Sequence, residues 1–210
     1  MKEKKKTGTA VVSAYSLLSI FFGGLIAITL LQIGLFLLGI FSPGRFLPTF
    51  PNGMEVTLNP NEVEVWTDQS SKYSVFGIEG ILTVYEPNMP VFICSNLIPI
   101  SVYASLLVIV FLIRKIIGTI NRGSPFTVKN GNRIRIISML IIFVPLFVVL
   151  LRYIIKLSLP ADLTINGMGI AMHAFRFDFI STLTLGLIVM AIGEVFVAGA
   201  KLKEENGLMV

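Results

Sequence analysis

The sequence predicts an all-α membrane protein, a bundle of four transmembrane helices with a small extracytoplasmic β-rich cap between helices 1 and 2. The mean hydropathy is +0.84 and 54% of the residues are hydrophobic, which is far above the range of soluble domains. Four apolar runs are long enough to cross a bilayer. The connection between the second and third runs carries cations and no acid, which favours the cytoplasmic side. We therefore expect a multi-pass protein of the cell membrane with both termini in the cytoplasm.

The positions of the cations support this orientation. Of the 17 Lys and Arg residues, twelve lie beside the predicted cytoplasmic ends of the apolar runs. They are Lys2, Lys4, Lys5, Lys6, Arg114, Lys115, Arg122, Lys129, Arg133, Arg135, Lys201 and Lys203. We interpret them as topology signals and contacts with anionic lipids, so the net charge of +5 does not predict direct binding of nucleic acid.

The first predicted domain, residues 1–41, is the cytoplasmic N-terminus with transmembrane helix 1 at about 12–40. Its apolar run is too long for the roughly 7 to 15 residues of a signal-peptide core, so we expect a retained helix. Ser19, Gly23 and Ala27 recur every fourth residue and share one face of this helix. That face either packs inside the bundle or contacts another copy of the chain, and internal packing is the simpler expectation.

The second predicted domain, residues 42–98, is the β-rich cap. Short segments at 54–58, 63–67, 73–78 and 81–85 combine β-branched and aromatic residues between Asn, Pro, Gly and Asp turn signals, as is typical of strands. A sheet of this size is marginal alone, so we expect it to pack on the helix ends.

The third predicted domain, residues 99–210, contains transmembrane helices 2 to 4 with the basic cytoplasmic loop and the C-terminal tail. The patterns place these helices at about 99–120, 134–156 and 177–197. The connection at 158–176 is polar enough to leave the membrane, and a short interfacial helix would suit its apolar residues.

No pattern of catalytic or ligand-binding residues is present. His173 is the only histidine, and its neighbours Arg176 and Asp178 fit a water-facing polar cluster better than a lipid-cleaving site. Cys94 is the only cysteine, and a buried apolar role suits it best. We expect no enzymatic activity, no cofactor and no metal site.

One ionisable residue stands out in the fourth apolar run. Glu194 needs a partner or water at that depth, and Arg133 and Arg135 are at the same predicted level on helix 3. We expect a salt bridge that clamps helix 4 to the central loop. Translocation of a proton or ion through Glu194 is a weaker alternative, because few polar residues lie at the predicted midplane.

The loop between helices 2 and 3 contains residues that favour a folded conformation. Gly123 allows a turn, Pro125 restricts the residue before it, and Asn130 offers hydrogen bonds before helix 3 begins. Phe126 supplies an apolar anchor for the membrane interface. We expect this loop to lie folded on the membrane surface.

Two motifs, GSPFTVKNGNRIRIIS in the loop and GEVFVAGAKLKEENGLMV at the C-terminus, resemble the bacterial membrane proteins of domain-of-unknown-function family 2975. The matching residues are Gly123, Pro125, Phe126, Asn130, Arg133 and Arg135 in the loop, and Glu194, Phe196, Gly199, Leu202, Glu205 and Asn206 in the tail. The tail departs from the pattern at Gly207 and Met209, where Asp and Thr are expected. The resemblance covers the chain from the first helix onward, apart from the outer loop. It implies a four-helix protein associated with a small helix-turn-helix regulator.

These observations favour a non-enzymatic regulatory or sensory protein that presents a cytoplasmic docking surface to a partner such as a transcription regulator. The expected partners are the lipid bilayer, that cytoplasmic protein and a second copy of the chain. A small transporter, a channel or an accessory subunit of a membrane complex is the alternative.

Overall fold

The computed structural model describes residues 9–41, 54–59, 78–82, 88–122, 126–159, 164–165, 168–172 and 178–207. Four long helices dominate these residues: α1 (Thr9–Phe41), α2 (Met89–Asn121), α3 (Val128–Ser158) and α4 (Asp178–Gly207). Each contains a stretch long and apolar enough to cross a membrane. The prediction of four membrane-spanning helices is therefore confirmed.

Helices α2 and α3 begin earlier than the sequence predicted. The carboxamide oxygen of Asn88 accepts a hydrogen bond from the backbone N–H of Val91 at 3.0 Å, so α2 begins at Met89 rather than at Pro99. Thr127 caps α3 in the same way, with its hydroxyl oxygen 3.3 Å from the backbone nitrogen of Asn130. These caps satisfy backbone donors of the first turn and fix where each helix starts.

The C-terminal tail is also helical as far as Gly207. Helix α4 continues to Gly207 instead of ending near residue 197, and residues 201–205 are exposed on it. Lys, Leu and Glu, which make up these five positions, are good helix formers, so the apolar span runs into a polar extension without a break.

Four strands form one antiparallel sheet in the order β2-β1-β4-β3, with β1 at Met54–Asn59, β2 at Ile78–Leu82, β3 at Thr164–Ile165 and β4 at Met168–Met172. Val56 of β1 pairs with Gly80 of β2 on one side and with Met172 of β4 on the other. The sheet therefore joins segments that are more than 80 residues apart in the chain.

The predicted β-rich cap made of residues 42–98 alone is not supported. Half of the strands come from the connection between α3 and α4, where an interfacial helix was expected. Gly169 lies within β4, and glycine is a weak helix former, whereas pairing with β1 satisfies the backbone of this segment. The predicted strand at 63–67, and that at 73–78 apart from Ile78, lie outside the described residues.

The chain divides into two compact units. The first contains Met1–Ile33, Pro99–Phe147 and Phe177–Val210, and the second contains Gly34–Ile98 and Val148–Arg176. The sheet belongs to the second unit, together with a small apolar core of Val91, Cys94, Leu151 and Ile155. Cys94 is thus a buried apolar residue, as expected.

Two further contacts hold the helices of the second unit together. The side-chain amide of Asn88 donates to the backbone carbonyl of Ser158 at 2.9 Å, which joins the start of α2 to the end of α3. Phe92 of α2 stacks on Phe36 of α1 with ring centroids 6.0 Å apart, and Gly39 leaves room for the same ring.

Candidate functional site

The predicted site residues that the structure describes lie in the first unit, where the end of α2, the start of α3 and the middle of α4 come together. Asn130 is completely buried at this point. Its side-chain nitrogen donates to the hydroxyl of Thr119 in α2 at 2.5 Å. That hydroxyl in turn donates to the carbonyl of Ile116 at 2.6 Å. Asn130 therefore lies on the first turn of α3 and ties it to α2, rather than in the loop before the helix.

Arg133 completes this polar cluster. One of its terminal nitrogens donates to the carboxamide oxygen of Asn130 at 2.8 Å and to the backbone carbonyl of Lys115 at 3.2 Å. Both polar ends of the Asn130 side chain thus have partners, as a buried amide requires. Arg133 fastens α3 to α2 and is not the partner of Glu194 in the described ion pair.

Arg135 is the residue that pairs with Glu194. Its guanidinium donates to a carboxylate oxygen of Glu194 and, at 3.3 Å, to the side-chain oxygen of Asn132. The side chains of Arg135 and Glu194 are 34% and 56% exposed within the chain. This is the ion pair between helices α3 and α4 that the sequence indicated, with Arg135 chosen over Arg133.

Glycines allow the backbones of α3 and α4 to touch beside this ion pair. A Cβ atom added at Gly131 would overlap the side chain of Val197 and lie 3.1 Å from its backbone nitrogen. It would also lie 3.3 Å from the carbonyl oxygen of Gly193. At Gly193, an added Cβ would lie 3.3 Å from the backbone nitrogen of Arg135. We call this contact, formed by Gly131, Gly193 and Val197, the glycine seam.

The seam was missed at the sequence level, where Gly131 was placed in the loop before helix 3 and Gly193 had no role. The spacing of small residues in α4 could have predicted this contact. Gly186, Gly193 and Ala200 recur every seventh residue, which places three small residues on one face of α4. All three are buried, and Gly186 packs against Ile142 of α3. Small residues at such spacing allow close approach of transmembrane helices.

An aromatic pair links the loop motif to the tail motif. Phe126, just before α3, stacks on Phe196 of α4 with ring centroids 5.1 Å apart and an angle of 25° between the planes. Phe126 remains 52% exposed. The structure therefore brings together five of the predicted site residues: Phe126, Asn130, Arg133, Arg135 and Glu194. Gly123 and Pro125 lie outside the described residues.

The polar side chains of this arrangement are amides, hydroxyls, guanidiniums and the carboxylate of Glu194, and they have hydrogen-bond partners within the chain. In the described ranges, no group of three or more His, Cys, Asp or Glu side chains could hold a metal ion. What the site offers to another molecule is the exposed ring of Phe126, the exposed Lys129 and the polar extension of α4.

Comparison with known proteins adds a family. The family model described as "Protein of unknown function (DUF2975)" matches residues 75–210, which include α2, α3 and α4 in full and do not include α1. The expected resemblance is confirmed over this range. No curated protein and no solved structure matches the chain.

Proposed function

The chain belongs to the DUF2975 family, and we propose that it is a non-enzymatic membrane regulator that presents a docking surface to a cytoplasmic protein with an acidic face, such as a small transcription regulator. The docking surface consists of Phe126 and Lys129 at the start of α3 and Phe196 and Lys203 on α4. In this proposal the basic connection and the α4 extension both face the cytoplasm.

One observation carries the proposal: the loop motif and the tail motif, far apart in sequence, are joined into one surface. Phe126 stacks on Phe196, and Arg135 pairs with Glu194. Lys203 follows Phe196 by two helical turns and therefore shares its face of α4.

The hydrogen bonds beneath this surface hold it in place before any partner arrives. Asn130 and Arg133 fasten the start of α3 to α2, and the glycine seam fastens it to α4. A surface that is already ordered loses little conformational entropy on binding, so a small contact can reach useful affinity.

Charge and exposure favour an acidic protein partner. Lys129 and Lys203 are exposed, and the ring of Phe126 is half exposed. Aromatic rings are enriched in protein interfaces, and exposed cations steer the approach of an acidic partner. Arg122, at the end of α2, adds a further exposed cation. A partner with acidic residues around an apolar pocket would complement this arrangement.

The test is an affinity pull-down of the tagged full chain from native membranes, with capture of a small helix-turn-helix protein as the readout. We expect the double variant F126A/K129E to reduce capture of that protein at least about tenfold, the effect of roughly 1.4 kcal/mol of binding free energy. The matched control is F143A, because Phe143 lies on the same helix and is 64% exposed but is outside the docking surface. Capture should be unchanged in F143A. Equal capture by wild type and F126A/K129E would overturn the proposal.

The orientation is tested separately. In a C94A background, the added cysteine of K129C should react with a membrane-impermeant maleimide in inverted vesicles and not in intact cells. Labelling in intact cells would place the docking surface outside and would refute a cytoplasmic partner.

A further inference from the structure

Arg114 of α2 lies between two aromatic rings of α1. Its guanidinium carbon is 4.9 Å from the ring centroid of Phe22 and 5.3 Å from that of Tyr15. Tyr15 and Phe22 are seven residues apart, so both rings lie on the same face of α1. Contacts with two ring faces orient the guanidinium but do not neutralise its charge.

The described parts of α1, α2 and α3 offer no carboxylate to Arg114, because they contain no Asp or Glu. The ion pair found in the described residues joins Arg135 to Glu194. The Nε atom of Arg114 is buried and has no hydrogen-bond partner among the described residues. A guanidinium in a membrane-spanning helix needs an anion or water for its remaining donors.

A second cation lies next to it. The ammonium of Lys115 is 5.2 Å from the ring centroid of Phe111, and the residue is exposed. Phe111 also contacts Phe22, with ring centroids 6.3 Å apart. Two cations and three aromatic rings therefore form one cluster between α1 and α2 without an acid.

The depth of this cluster suits a lipid headgroup. Arg114 lies two turns before the end of α2, which is about 10 Å along the helix axis. A long Arg or Lys side chain at that depth reaches the phosphate level of the nearer leaflet while its stem stays in apolar surroundings. Phe21, the neighbour of Phe22, is 55% exposed and offers a surface for an acyl chain.

We propose that Arg114, oriented by Tyr15 and Phe22 and assisted by Lys115, binds the phosphate of an anionic phospholipid in the leaflet next to the connection between α2 and α3. The planar guanidinium can donate two parallel hydrogen bonds to phosphate oxygens, which an ammonium cannot do. The exposed charge of Lys115 adds a preference for a lipid with net negative charge. This site shares no residue with the docking surface.

The experiment measures lipid retention by native mass spectrometry of the full chain extracted from bilayers that contain equal amounts of phosphatidylglycerol and phosphatidylcholine. Wild type should retain phosphatidylglycerol preferentially. In R114Q the ratio of retained phosphatidylglycerol to phosphatidylcholine should fall at least about tenfold, because the charge-assisted hydrogen bonds to the phosphate are lost. R122Q is the matched control, because Arg122 is an exposed cation at the end of the same helix. Its effect should be less than about twofold. Equal losses in R114Q and R122Q would show diffuse charge attraction and would overturn the site.

Two further measurements test whether the aromatic rings orient Arg114 and whether the ligand is a lipid or a soluble phosphate. The variant Y15L/F22L keeps the charge of Arg114 and removes the rings, and it should lower retention to an intermediate value; wild-type retention in this variant would contradict the oriented site. Glycerol phosphate, which has the headgroup chemistry but no acyl chains, should not displace the lipid at millimolar concentration. Displacement would assign the site to a soluble phosphate instead.

Discussion

Three glycines in α3 and α4 contrast with those in the middle of α1. At Gly131, Gly186 and Gly193, an added Cβ atom would meet the neighbouring helix at once. At Gly23 and Gly24, it would meet nothing within 4 Å. Glycine therefore allows close helix packing between α3 and α4, whereas in the middle of α1 no neighbouring atoms of the described residues lie against it.

The difference shows that small residues allow a contact but do not create one. In the glycine seam, the neighbouring chemistry supports the approach, because Arg135 pairs with Glu194 and Phe126 stacks on Phe196. The predicted small-residue face of α1 has no comparable contact around Gly23, and Ala27 is exposed as well. Internal packing, which was the simpler expectation for that face, is not what the described residues show.

The largest effect is expected at the centre of the seam. G131A would place a methyl group against the backbone nitrogen of Val197 and the carbonyl of Gly193, which cannot move without shifting α4. We expect the free energy of unfolding to fall by about 1–3 kcal/mol, the usual cost of overpacking. Unfolding in mixed micelles with increasing dodecyl sulfate would measure it. An unchanged midpoint would show that the two backbones are not in contact there.

A smaller loss is expected at Gly186. An added Cβ would lie 2.5 Å from Cγ1 of Ile142 and 3.4 Å from Cγ2 of Ile141, so only side-chain atoms obstruct it. Because side chains rather than backbone obstruct it, G186A should cost less than G131A in the same titration, although a helical isoleucine resists the change of χ1 that would move Cγ1. A loss as large as that of G131A would mean that the whole length of the α3–α4 contact is equally rigid.

The sequence was sufficient for the features that depend on composition and on charge. Long apolar runs predicted the four helices, and an acid in the fourth run indicated its need for a cation, which Arg135 supplies. The sequence could not choose between Arg133 and Arg135. That choice depends on Asn130, whose buried amide engages Arg133 from the first turn of α3.

Two other features escaped the sequence patterns for physical reasons. The start of α2 was placed at about Pro99, whereas the cap at Asn88 sets the beginning at Met89 and Pro99 lies inside the helix. The pairing of β1 with β4 joins segments that are distant in the chain. The local β-propensity of residues 168–172 is too weak to predict a strand there. Non-local partners decided both the sheet and the glycine seam.

The smallest effect, and the one of opposite sign, is expected on α1. Alanine is a better helix former than glycine, and nothing obstructs a methyl group at Gly23, so G23A should leave the unfolding free energy unchanged or raise it by at most about 1 kcal/mol. G23L extends the test, since a large side chain on a lipid-facing surface should leave the oligomeric mass in detergent unchanged. A loss of stability or a change of mass in G23L would reveal a partner on this face, and the contrast with the seam would then disappear.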